Sequence, residues 1–359
     1  MKPAVEMLLG RLSKVGVRSV WGALTSMKAV VLRETGGVDK LLWETIPVPE
    51  PTAGQVLVHV KAIGLNFIDT YHRTGLYKLP LPAILGREAA GQVAALGAGC
   101  SRFSIGDRVV FLAGSSGTYA EQVLVDESKL VAIPEGVSFE AAAALSIQGM
   151  TAHYLACSTY PIQRGDTVLV HAGAGGTGRL LIQIAKLRGA QVITTVGSKV
   201  KESVARSAGA DHVILYNEQD FAEEVAKITG GEGVHAVYGK ILSVNFLLSD
   251  SVGKTTFEKS MKCLRRRGYL VMFGNASGVP PVFDPMELRF KSLFLTRAAL
   301  HDYIVTDEER LWRMNDILQW VAEKKLDILI GKTFPLEQVA DAHRYIESRE
   351  SVGKIILLT

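Results

Sequence analysis

The stretch His171-Ala172-Gly173-Ala174-Gly175-Gly176-Thr177-Gly178 decides the fold. Ahead of it, Asp166-Thr167-Val168-Leu169-Val170 reads as a buried strand; behind it, residues 180–186 read as a helix with an apolar face. Strand, glycine turn and helix, in that order, are the setting in which G-x-G-x-x-G marks a dinucleotide site. Gly173, Gly175 and Gly178 fill the pattern. The expectation is that Gly173 makes the tight turn, Gly175 admits a pyrophosphate to the backbone, and Gly178 lets helix and strand pack closely. Ala174, Gly176 and Thr177 complete the turn, whose free N–H groups at a helix N-terminus favour an anion.

About twenty residues on, a site for NAD places an acidic side chain on the ribose hydroxyl. Here the second strand, residues 191–196, ends instead in Gly197-Ser198-Lys199-Val200-Lys201. A small Gly197, the hydroxyl of Ser198 and the cation of Lys201 suit a 2′-phosphate, so the expected cofactor is NADPH. The alternative for the two lysines is a solvated helix start.

Composition sets the outer bounds. The 359 residues are 48% hydrophobic and 21% charged, which is ordinary globular material for two domains. A formal charge of +4, with both signs interleaved, gives no basic stripe for nucleic acid or a membrane surface. Cys100, Cys157 and Cys263 lie far apart, so there is no disulfide framework and a reducing compartment fits. No apolar run is long enough to span a bilayer. Residues 1–26 carry Lys2, Arg11, Lys14 and Arg18 against the single acid Glu6, with apolar residues between. They read as a disordered extension or as a transit peptide for a mitochondrion or plastid; a cytoplasmic location is the first expectation.

From Met27 to about residue 150, short apolar strands alternate with Gly, Pro and Asp turns, which predicts a compact β-rich barrel. Segments 139–145 and 151–156 read as helical. Residues 151–300 continue as alternating strand and helix, a doubly wound α/β sheet. Helix 311–324 follows, then a returning helix over 333–343, and strand 354–358 goes back to the first domain.

That order, with Ala62-Ile63-Gly64-Leu65-Asn66-Phe67-Ile68-Asp69, Gly86-Arg87-Glu88-Ala89-Ala90-Gly91 and Gly106-Asp107-Arg108-Val109, resembles the medium-chain dehydrogenase/reductase superfamily. Within it, the chain is similar to the zinc-independent quinone oxidoreductases, the zeta-crystallin-like branch. The resemblance implies a GroES-like domain over 27–150, completed by about 325–359, and a Rossmann NADPH-binding domain over 151–300. It also implies a homodimer and a small quinone-like acceptor. A catalytic zinc needs three protein ligands and an open position. Zinc-bearing relatives place a cysteine near Gly64-Leu65-Asn66 and a histidine where Arg87 stands, so no metal is expected.

The chemistry then falls to Asn66, Asp69, Tyr71 and Tyr77. By resemblance they line the nicotinamide and acceptor cleft. Asn66 is expected to hydrogen-bond a carbonyl or carboxamide, and Tyr77 to stack on a flat ring. The alternatives are a turn or helix cap for Asp69 and a packed aromatic for Tyr71. The resemblance also brings Thr151, Tyr216, Arg297 and Arg349 towards the cofactor, the alternatives being core packing for Tyr216 and a surface arginine for Arg349; Phe273 and Asn275 stand at a strand end that faces the cofactor by the crevice rule. Tyr216 and Arg349 approach the 2′-phosphate; Thr151, next to Gln148-Gly149-Met150, approaches the nicotinamide.

One interruption stands out. Relatives run from a Val-Tyr pair directly into Asp-Ser-Val-Gly, here Asp250 to Gly253; between them lie the eleven residues Gly239 to Ser249. They are either an artefact of the gene model or a loop beside the cofactor cleft. Function reduces to three alternatives: an NADPH-dependent quinone reductase, an enone or alkenal reductase on the same scaffold, and a non-catalytic NADPH-binding protein.

Overall fold

A computed structural model of the chain describes residues 25–114, 117–239, 252–273, 283–348 and 350–359. The first part builds β1 (Ser26–Leu32), β2 (Leu41–Pro47), β3 (Gln55–Leu65), α1 (Phe67–Thr74), β4 (Ala83–Ile84), β5 (Glu88–Leu96), β6 (Arg108–Leu112), β7 (Gln122–Asp126), β8 (Val131–Ala132) and α2 (Phe139–Tyr154). The middle alternates β9 (Thr167–His171), α3 (Gly176–Leu187), β10 (Gln191–Val196), α4 (Lys199–Ser207), β11 (His212–Leu215), α5 (Phe221–Ile228) and β12 (Val234–Gly239). It continues as α6 (Val252–Cys263), β13 (Leu264–Phe273) and β14 (Phe294–Ala298). The chain ends as α7 (Asp307–Ala322), β15 (Ile330–Pro335), α8 (Val339–Glu347) and β16 (Lys354–Leu358).

The middle strands form a parallel sheet in the order β11-β10-β9-β12-β13-β14. This is the doubly wound dinucleotide-binding arrangement, and its switch point lies between β9 and β12. Strands covered on both faces read as continuous apolar runs; Val168, Leu169 and Val170 of β9 accordingly have no exposed surface. The first part forms a sheet in the order β15-β16-β3-β5-β6-β8, with β7 also paired to β3, and a small sheet β2-β1-β4. β16 runs antiparallel to β3, with Ile355 opposite Leu65, so the end of the chain is built into the first domain.

Two local expectations need correction, and one helix is added. Segments 139–145 and 151–156 are not two helices: α2 runs unbroken through Gln148-Gly149-Met150 and leaves by a π turn at Leu155–Thr159. Gly149 makes the continuous helix compatible with its neighbour, because a Cβ there would lie 2.8 Å from Ile317 Cδ1 of α7. The returning segment 333–343 is not all helix; Thr333 and Phe334 belong to β15, paired with Ile356 and Leu357. Residues 67–74, given no helix by the strand pattern, form α1, closed by Gly75 at φ 82°.

A single buried cluster joins the two sheets through α2. Ala142 to Leu145 of α2 pack with Ala62 and Ala90 on one side and with Val170, Leu181 and Tyr238 on the other. The cleft described next therefore lies along a seam that is closed by core packing.

Candidate active site

The glycine turn makes close approaches, and one of its three expected roles moves. The left-handed residue of the turn is Ala172, at φ 56°, and not Gly173. Gly173 is required by crowding: its Cβ would lie 2.1 Å from Thr194 Oγ1, itself fixed by donation to the Val170 carbonyl at 2.6 Å. Gly178 brings helix against turn, since a Cβ there would sit 2.4 Å from the Ala172 carbonyl oxygen. The first helical bond of α3 is Arg179 N to the Gly175 carbonyl, 2.8 Å. The N–H groups of Gly176, Thr177 and Gly178 precede it and lack intrahelical acceptors. They border a cavity of about 100 Å³, also lined by Gly175, Ala172 and His171. Gly176 presses on Gln148 of α2, and Ala174, itself buried, accepts the Gly353 N–H at 3.5 Å. A glycine cradle with unsatisfied donors fits the phosphates of a dinucleotide.

At the carboxyl end of β10, Ser198 caps α4 and accepts the Lys201 N–H at 3.4 Å. Tyr216, half exposed, packs over Gly197 so closely that a Cβ there would lie 2.6 Å from its hydroxyl. Gly197, Ser198, Lys201 and Tyr216 thus meet at one corner. The nearest acid on α4, Glu202, is paired with Arg206 at 2.8 Å.

A second, larger cavity of about 560 Å³ adjoins the turn. Phe67, Gln148, Thr177 and Phe273 line both cavities and mark their junction. Tyr71, Tyr77, Thr151 and Arg297 line the larger one. The rings of Tyr71 and Tyr77 meet edge to face, centroids 5.4 Å apart. Burial, with a smaller contribution from Tyr77, pushes the Tyr71 phenol up to about 12, so it remains a donor. Its oxygen is buried and has no hydrogen-bond partner among the described residues.

Two of the four residues expected to act chemically are already engaged. Asn66 does line the cleft, but its amide donates to Glu88 Oε1 at 2.7 Å and to the Gly64 carbonyl at 3.1 Å. Both N–H bonds are spent, so Asn66 has no donor left for a carbonyl. Asp69 does not reach the cleft. It is fully buried at the start of α1, accepting the Asn66 N–H at 2.8 Å and the Tyr119 hydroxyl at 3.1 Å. Of the cofactor residues, Asn275 and Arg349 lie outside the described residues. So does the extra segment, except Gly239, which ends β12 against the His171 ring.

Sequence reasoning missed the partners. Glu88 accepts from Lys354 Nζ at 2.5 Å, and Lys354 also reaches Asn66 Oδ1 at 2.9 Å; Glu88 and Lys354 are both buried. Glu88 lies within Gly86-Arg87-Glu88-Ala89-Ala90-Gly91, but nothing local announces a partner 266 residues away. His171, taken only as the first residue of the glycine stretch, is clamped between Thr195 Oγ1 and Ser260 Oγ at 2.9 and 3.1 Å, and burial holds it down at about 4. Among the described residues, no three His, Cys, Asp or Glu side chains converge as metal ligands.

Comparison with known proteins agrees with this geometry. Residues 52–135 match the alcohol dehydrogenase GroES-like domain, and residues 208–357 match the zinc-binding dehydrogenase family. Quinone oxidoreductase 1 of Escherichia coli is 40% identical over 327 residues, covering 90% of this chain and 97% of its own length. The chain belongs to the zinc-independent quinone oxidoreductases of the medium-chain dehydrogenase/reductase superfamily. A 2-haloacrylate reductase from a Burkholderia species is also 40% identical, over 92% of this chain and 98% of its own length. The crystal structure of an Escherichia coli quinone oxidoreductase complexed with NADPH superposes with a TM-score of 0.83 at 36% identity, covering 92% of this chain and all of that one. The fold is the GroES-like domain plus Rossmann domain of that family.

The buried polar groups behind the cleft carry a pH signature. Burial raises Asp69 to about 7, and its Oδ1 is left without a partner. Burial and the charge of Arg73 lower His343 to about 3. A carboxyl raised in the folded state contributes stability that is lost as pH rises through its folded value. A histidine depressed in the folded state contributes stability that is lost as pH falls. Between about pH 4 and 6.5 the Asp69 slope therefore opposes those of His343 and His171. Asp69→Asn removes the opposing slope, so stability should rise more steeply with pH in that window. Urea midpoints across it check this; a slope equal to or shallower than that of the parent protein counts against the assignment.

Proposed function

We propose that the chain is an NADPH-dependent quinone reductase that works without zinc. The observation that carries this is the junction of the two cavities: the glycine cradle shares Phe67, Gln148, Thr177 and Phe273 with an adjoining aromatic cleft that holds an unspent phenol. When bound, NADPH supplies a hydride, which with one proton converts a quinone to the hydroquinone. The protein's work is orientation and electrostatics. Gly175 to Gly178 seat the pyrophosphate, and Gly197, Ser198, Lys201 and Tyr216 seat the 2′-phosphate. Phe273 and Thr151 border the nicotinamide. Tyr77 and Phe67 offer flat apolar faces to the acceptor ring. Tyr71 lines the cleft with its ring, and a turn of the side chain brings its buried, unpartnered hydroxyl to the acceptor oxygen as negative charge grows there; solvent supplies the proton.

The assay is NADPH oxidation in the presence of a small benzoquinone. Turnover is expected, and Tyr71→Phe should lower kcat/KM about 10–100-fold, the worth of one hydrogen bond to a developing charge. No turnover by the parent protein overturns the reading; an unchanged Tyr71→Phe removes Tyr71 from it. The same assay reads cofactor choice. Lys201→Ala should raise the KM for NADPH about tenfold and leave that for NADH unchanged, because only the former places a phosphate at this corner. Equal effects on both would refute the assignment.

The relative named for 2-haloacrylate favours a second reading, reduction of an activated carbon–carbon double bond in the same cleft. Two further features belong to the proposal. β14 ends the parallel sheet as described, and it exposes Phe294 there; we read this edge as the contact of a homodimer. Light scattering should give the mass of two chains, and the mass of one would refute it. No described helix is long and apolar enough to cross a membrane, and the three cysteines are free; we read the protein as cytoplasmic.

A further inference from the structure

The acceptor cleft carries a charge asymmetry that a neutral quinone does not call for. The described residues that line the cavity at the glycine turn include no charged Asp, Glu, Lys or Arg. The adjoining cleft is lined by Arg87, Lys129, Arg297 and Arg310 and, among the described residues, by no Asp or Glu. The cations are thus concentrated on the acceptor side, away from where the pyrophosphate sits.

Three of the four are already engaged. Lys129 pairs with Asp126 at 2.7 Å and Arg310 with Asp307 at 2.8 Å. Arg297, on the β14 wall, has a partner within the chain. Arg87 differs: its guanidinium makes no ion pair or hydrogen bond with the described residues, and its side chain is exposed at the cleft mouth.

Its backbone, by contrast, is held on every side. Gly86 adopts φ 91°, with Thr118 Oγ1 only 2.3 Å from where a Cβ would stand. The Arg87 carbonyl accepts the Ala113 N–H at 2.8 Å, and the next residue is the buried Glu88. Arg87 lines the cleft together with Tyr71 and Tyr77. His72, whose Nδ1 lies 3.2 Å from the Tyr77 carbonyl oxygen, is pushed below its usual value by burial and then by the charge of Arg87. A fixed backbone, an uncommitted planar fork and a cleft without competing acids suit bidentate recognition of an oxyanion.

We propose that Arg87 is a specificity-determining residue that selects acceptors bearing a carboxylate or sulfonate, with the anion on Arg87 and the reducible ring against Tyr77 and Phe67. This rests on the quinone-reductase reading and narrows its substrate class. Electrostatic complementarity of this kind sets discrimination between partners more than overall affinity.

The experiment compares a naphthoquinone sulfonate with the unsubstituted naphthoquinone, using the full chain and NADPH. The expected result is a kcat/KM ratio favouring the sulfonate by about tenfold, shrinking as salt is added. Arg87→Gln should abolish the ratio, chiefly through KM, and Arg87→Lys should restore part of it. Equal kcat/KM for the two quinones in the parent protein, or a parallel loss on both in Arg87→Gln, overturns the proposal while leaving the reductase reading in place. No turnover of either quinone by a parent protein that still binds NADPH overturns both.

Discussion

The structure depends on one buried ion pair. Glu88 has no exposed surface, and its carboxylate takes Lys354 Nζ and the Ile147 N–H at 2.5 Å and the Asn66 amide at 2.7 Å. Four segments meet there: the entry of α1, the start of β5, the middle of α2 and the first residue of β16. Two charges taken out of water contribute only when every lone pair and proton finds a partner, and removing one member of such a pair costs about 3–5 kcal/mol. That asymmetry makes the pair a device for location. The chain's last strand has one place to go, because anywhere else would leave a charge buried alone.

Fixing β16 fixes what precedes it. Gly353, next to Lys354, lies against Ala174 and Gly175 of the glycine turn. The same α2 that donates Ile147 to Glu88 sends Gln148 against Gly176. The first domain therefore grips the nucleotide turn from two directions, and the cleft between them is set by contacts on both flanks. Interiors packed to crystalline density deform little, so the distance between glycine cradle and aromatic cleft is set by the fold rather than by a bound ligand.

This arrangement explains what the sequence disclosed and what it withheld. The parallel sheet was legible because β9, the glycine turn and α3 are contiguous, and because β10 and β11 carry their apolar runs intact. Gly178 was legible too, since its crowding is with Ala172, six residues away. The reading of Gly173 was wrong in kind: the close neighbour is Thr194, and only the register of β9 against β10 reveals it. Asn66 was misjudged for the same reason, whereas Asp69 takes the helix-cap role that stood as its alternative. An amide near a glycine turn looks available until Glu88 and Lys354, 22 and 288 residues away, are brought to it. Local pattern reports which side chains lie near the seam; long-range pairing decides which of them are still free.

That distinction separates structure from chemistry in the cleft. Asn66, Glu88, Lys354 and Asp69 all bind inward, each with its polar atoms largely committed to the others or to the backbone. A buried polar group left unmatched costs free energy, so folding retains few. Tyr71, with its hydroxyl buried and unpartnered, and Arg87, with a held backbone and an uncommitted fork, line the same cavity. Neither polar head bonds to a neighbour among the described residues, and an unpartnered buried hydroxyl costs stability. An unspent donor and an unspent cation at one wall, facing aromatic rings and no acid, describe the ligand that would satisfy them: flat, electron-poor, with an oxygen for the phenol and a negative charge for the guanidinium.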